Sequence, residues 1–90
     1  HITKSINTII REYDGFKIGK SGVETRGKNY SDYSAIYYLC SSSNRDYIKA
    51  LEAHYNDKYF DHPKNENYRR GSAGRMSDDS KLYYLYIVVR

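Results

Sequence analysis

"KLYYLYIVV", residues 81–89, holds the longest unbroken run of apolar and aromatic residues in the chain. β-Branched and aromatic residues with no Gly or Pro among them predict a strand. The run does not alternate with polar positions, so a strand covered on both faces is expected. Working back from it, "KNENYRRGSAGRMSDDS" (64–80) is polar, glycine-containing and basic in its middle. It reads as a long loop, and a loop of that length in a small domain is usually functional or disordered.

Residues 43–60, "SNRDYIKALEAHYNDKYF", change period. Tyr47, Ile48, Leu51, Tyr55 and Tyr59 recur at helical spacing and form one apolar face. Ser43 with Asp46 three positions on suggests the N-cap, and Pro63 the stop. "YSAIYYLCS" (33–41) predicts a second strand, buried on at least one face. "NTIIREYDGFKIGKS" (7–21) predicts a β-hairpin, because Asp14-Gly15 is a two-residue turn signal between β-rich flanks. Together these elements describe an α+β domain with a small, mainly antiparallel sheet of three or four strands flanked by helices.

Ninety residues make one domain, residues 1–90, and an opening on His1 rather than Met admits a piece of a longer protein. Twelve Tyr, two Phe and no Trp place the apolar area in rings that also carry a hydroxyl. The net charge of +4 suits contact with phosphate. Cys40 stands alone, which excludes an internal disulfide, and its strand setting suggests a small buried hydrophobe. No apolar run reaches the roughly 20 residues of a spanning helix. No membrane partner and an intracellular location are expected.

Lys17, Lys20 and Lys28, with Arg26 among them, fall in a stretch punctuated by Gly22 and Gly27. A basic, glycine-containing turn after a strand can aim N–H groups and cations at an anion. Lys64, Arg69, Arg70 and Arg75 around Tyr68 combine charge with an aromatic ring, a mixture suited to a nucleic-acid backbone and base stacking. Glu52 falls on the shoulder of the helix's apolar face, beside Ile48 and Tyr55. A carboxylate there either pairs with a cation across the interface or lines a cleft. In a cleft, one carboxylate with water and phosphate is enough to hold Mg²⁺. His1, His54 and His62 have no spacing that suggests zinc.

In order, Phe16-Lys17-Ile18-Gly19-Lys20-Ser21, then Arg26, then Tyr30, then a strand, then a helix with Ala50-Leu51-Glu52, resemble the GIY-YIG nuclease superfamily. The likeness is to the branch whose second strand reads "KIG", and it covers residues 8–67. The resemblance implies an endonuclease that hydrolyses nucleic-acid phosphodiester bonds, usually in DNA, with Mg²⁺ or Mn²⁺. On that basis Glu52 would hold the metal and Arg26 would stabilise charge on the phosphate. Tyr30 would orient or deprotonate the attacking water. Lys17, Lys20, Lys28, Arg69, Arg70 and Arg75 would contact the backbone. Asn65 or Asn67 would stand for the polar residue that follows the metal-bearing helix.

No first-strand tyrosine precedes "KIG" at the family's position. Tyr83, Tyr84 or Tyr86 of the last strand is therefore an alternative source of the hydroxyl. Two other functions stay open: an inactive nucleic-acid-binding module of the same fold, and a Tyr-rich protein-interaction domain. RNA in place of DNA is also left open.

Overall fold

The computed structural model describes residues 1–22, 33–67 and 81–90. The elements are α1 (Ile2–Ile10), β1 (Phe16–Ser21), β2 (Ala35–Ser42), α2 (Arg45–Lys58) and β3 (Tyr83–Val89). The three strands form one sheet in the order β1-β3-β2, antiparallel throughout. This is the small α+β architecture expected, with three strands and two helices among the described residues.

The C-terminal strand is central, and its composition explains why. All of its residues except Tyr84 are buried, which a strand attains only with cover on both faces and neighbours on both edges. Alternate residues of β3 split between the faces. Leu85, Ile87 and Val89 join Phe16 and Ile18 of β1 in the main core, where Ile6 and Ile10 of α1 and Tyr55 and Tyr59 also pack. Both described helices therefore lie on this face. The other face carries Tyr84, Tyr86 and Val88 of β3, opposite Ser21, Gly19 and Lys17 of β1.

The expected hairpin over residues 7–21 is not formed. Its second arm is β1, but its first arm belongs to α1. Ile2, Ile6, Ile9 and Ile10 share one side of that helix, with Ile6 and Ile10 buried in the core. Burial of that stripe overrides the β preference of isoleucine. Asp14-Gly15 does not join two paired strands either. Both residues donate their N–H groups to the Arg90 carbonyl, and Arg90 N–H donates back to Gly15.

The helix bounds also differ from the expected ones. Asn44, not Ser43, caps α2, its Oδ1 accepting from the Tyr47 N–H at 3.1 Å. The helix ends at Lys58, before Pro63 can stop it. Tyr47 leaves the apolar face and is exposed. β2 is an edge strand with no fully buried residue, contrary to the expected burial of one face. Its register with β3 shifts between Tyr38 and Cys40. Cys40 itself is only half-buried at the rim of the core.

Candidate functional site

The inner face of α2 brings a carboxylate to the strand that reads "KIG". Glu52 is 2% exposed. Lys20, near the end of β1, faces the same layer, because it is in register with Leu85. The Lys20 ammonium donates to Glu52 Oε1 at 3.3 Å. Both side chains are almost sealed, so the pair exists at low effective dielectric. Of the two outcomes the sequence left for Glu52, pairing with a lysine is the one observed among the described residues.

One turn further along, Asn56 is 1% exposed and points at the same strand. Its Nδ2 donates to the Ile18 carbonyl at 3.3 Å. Asn67 clasps the same residue from outside: Ile18 N–H donates to Asn67 Oδ1 at 3.1 Å, and Asn67 Nδ2 reaches the Ile18 carbonyl at 3.4 Å. Asn65 holds the approach, donating from Nδ2 to the Tyr59 carbonyl and accepting the Asn67 N–H on Oδ1. Neighbouring backbone closes the same edge, with Phe16 N–H donating to Lys64 and Glu66 N–H to Phe16. The free edge of β1 is thus occupied by the chain after α2. Asn56 Oδ1, in contrast, is buried without a hydrogen-bond partner among the described residues.

The three tyrosines of β3 do not share a location. Tyr83 packs with Ile48 on the helix side. Tyr86 lies on the opposite face, over Gly19, its cross-strand partner. Tyr84, on that same face, meets the Tyr38 ring edge-on at 5.4 Å. Glu52 and the Tyr84–Tyr86 pair are therefore on different sides of the sheet. Lys17 shares the tyrosine side, with its ammonium over the Tyr33 ring. Arg26, Lys28, Tyr30, Arg69, Arg70 and Arg75 lie outside the described residues.

A polar cluster that sequence reasoning did not single out forms around Glu66. Tyr33 donates its hydroxyl to Glu66 Oε1 at 2.8 Å, and Arg90 donates from Nε and Nη2 to Oε2 at 3.0 and 2.7 Å. Partial burial raises the Glu66 pKa, but the Arg90 and Tyr33 hydrogen bonds and the Arg90 and Lys17 charges outweigh it, so the net shift is downward. Gly15 lies directly beneath; a Cβ there would stand 2.5 Å from Glu66 Oε2. The three segments meet only in the fold, and no local spacing signals them.

The histidines take structural places. His62 packs edge-on against Phe16 at 5.4 Å and accepts the Lys64 N–H on Nδ1. His54 is exposed beside Tyr55. Lys64 donates its ammonium to the carbonyl of Ile10, the last residue of α1. No group of three or more His, Cys, Asp or Glu side chains suited to a metal occurs among the described residues. A hydrated Mg²⁺ asks for one or two carboxylates with water and phosphate; Glu52 is a single carboxylate whose side chain is 3% exposed and whose Oε1 accepts from Lys20. Among the described residues, no helix is long and apolar enough to cross a membrane.

Comparison with protein-family models, curated proteins and solved structures finds no match.

Proposed function

We propose that the domain is a metal-dependent endonuclease acting on nucleic acid, with DNA as the first substrate to test, in the manner of the GIY-YIG nucleases it resembles. One observation carries the reading. The helix that follows β2 delivers a buried carboxylate, Glu52, to the end of the strand reading Lys17-Ile18-Gly19-Lys20. Strand β3 runs antiparallel beside "KIG", and of its tyrosines only Tyr83 lies on the Glu52 side of the sheet.

In this reading Glu52, with the unpartnered Asn56 oxygen one turn away, offers the hard donors that suit Mg²⁺ or Mn²⁺. Such an ion, when bound, polarises a phosphoryl oxygen and steadies the leaving oxygen. Lys20 sets the charge balance at Glu52. Arg26 is assigned the charge developing on the phosphate, and Tyr30 the attacking water.

The direct test is nicking of supercoiled plasmid in Mg²⁺. Wild type is expected to nick, and Glu52→Gln to lose nicking while retaining cooperative thermal unfolding. Undiminished nicking by Glu52→Gln, or no cleavage in any divalent metal, rejects the proposal.

A second reading has its own support. The Lys20–Glu52 pair already satisfies a carboxylate whose side chain is 3% exposed. A nucleic-acid-binding module without turnover needs no more than that. Steeply salt-dependent binding with no cleavage would select it.

A further inference from the structure

The backbone of β1 faces two ways. Phe16 and Ile18 turn their amides away from β3, since Phe16 N–H donates to the Lys64 carbonyl and Ile18 N–H to Asn67 Oδ1. Lys17 and Gly19 turn theirs towards β3, as alternation in an antiparallel pair requires. Asn65 makes a parallel bridge to Phe16, so residues 64–67 lie along the outer edge as a short strap where a further strand would otherwise pair.

Glu66 is the strap's one carboxylate, and it is tied to separate parts of the chain. Tyr33, on the approach to β2, donates to one oxygen, and Arg90, just past β3, donates twice to the other. Arg90 is itself held, because its backbone exchanges hydrogen bonds with Gly15. A proton on Glu66 removes the charge that Arg90 faces and turns an accepting oxygen into a donor. We propose that residues 64–67 form an acid-released strap over the outer edge of β1, with Glu66 as its latch.

The strap requires nothing of the nuclease reading. Its release would open the Phe16 and Ile18 backbone groups to water or to another strand. The opened segment lies just before Lys20, the partner of Glu52.

The groups around Glu66 set the direction. Among the described residues these are Arg90, Tyr33 and Lys17, and together they outweigh partial burial and hold its pKa below the ordinary 4.5. Closure is therefore favoured above the pKa of the released group and is lost as pH falls through that of the latched one. At the strap's other end His62 Nδ1 accepts the Lys64 N–H, and the Lys64 ammonium donates to the Ile10 carbonyl. A release driven from that end would not depend on Glu66.

Amide hydrogen exchange of the whole chain, read by NMR as protection factors from about pH 6 to about pH 3.5, tests the strap. In wild type, Phe16 and Ile18 are expected to lose protection on the acid side by about threefold or more relative to Lys17 and Gly19. Glu66→Gln should show the reduced Phe16 and Ile18 protection already at the upper pH, with no further acid step. Tyr33→Phe removes only a hydroxyl donor to the carboxylate, so its acid step should move to higher pH, and it serves if Glu66→Gln does not fold.

Equal loss of protection at all four amides overturns the strap, because the opening is then global. So does an acid step that persists in Glu66→Gln, or one that Tyr33→Phe leaves at its wild-type pH.

Discussion

Tyr86 lies across Gly19: a Cβ built on the glycine would stand 2.6 Å from both Cζ and the hydroxyl oxygen of the tyrosine. The two residues are cross-strand partners on the central and first strands, and Tyr86 is 5% exposed. A ring packed that closely has little room to withdraw. Gly19→Ala is therefore expected to destabilise the domain by about 1–3 kcal/mol, as overpacking does. Urea denaturation measures the loss. In a cycle with Tyr86→Leu the two changes should couple by more than about 0.5 kcal/mol, and additivity would show that the close approach is immaterial.

Lys20 and Glu52 make the second prediction. Lys20→Met removes a charged partner from a buried carboxylate, and a loss of about 3–5 kcal/mol is expected. Replacing both residues, Lys20→Met with Glu52→Met, removes the buried carboxylate as well and should recover most of that loss. Equilibrium unfolding of the two variants decides it. Equal destabilisation by single and double changes would mean that the pair is not a coupled unit.

Glu66 supplies a pH dependence. Its folded pKa lies below the ordinary value of 4.5, so the folded state favours the ionised form. The associated stability is present above the unfolded pKa and is lost as pH falls through the folded one. The group is partly exposed, so the contribution is modest, below about 1 kcal/mol. Melting temperature followed from pH 6 downward should fall for wild type below about 4.5. That acid-side fall should be shallower for Glu66→Gln. Parallel profiles would remove Glu66 from the account.

The start of α2 gives a local test. Asn44→Ala removes the side-chain acceptor for the Tyr47 N–H and should lower stability by about 1 kcal/mol. Ser43→Ala should change it by no more than about 0.5 kcal/mol. Thermal melts of the pair distinguish the two caps, and the opposite order would restore Ser43.

Some of this was readable in the residues themselves. The unbroken "LYYLYIVV" run announced a strand with cover on both faces, and β3 is the sheet's centre. The helical period through Ile48, Leu51 and Tyr55 placed Glu52 on the shoulder of a buried face, where its carboxylate is found. The hairpin expectation went wrong for an identifiable reason. Residues 7–10 look β-rich alone, but the stripe from Ile2 through Ile6 to Ile10 is helical, and it shows only when the window starts earlier. Ser43 and Asn44 are adjacent polar cap candidates, and only the backbone path decides which side chain faces the exposed N–H groups.

Three features rest on long patterns legible in the chain: a C-terminal strand buried on both sides, a preceding amphipathic helix, and a carboxylate at that helix's inner edge. Those follow from periodicity, which is local. The tertiary structure alone decided which groups meet. Lys20 and Glu52 are thirty-two positions apart and pair at 3.3 Å. Tyr86 over Gly19, and Tyr33, Glu66 and Arg90 around one carboxylate, likewise join residues far apart in the chain. Such contacts depend on strand order and register, and a one-residue shift in register would send every side chain to the other face.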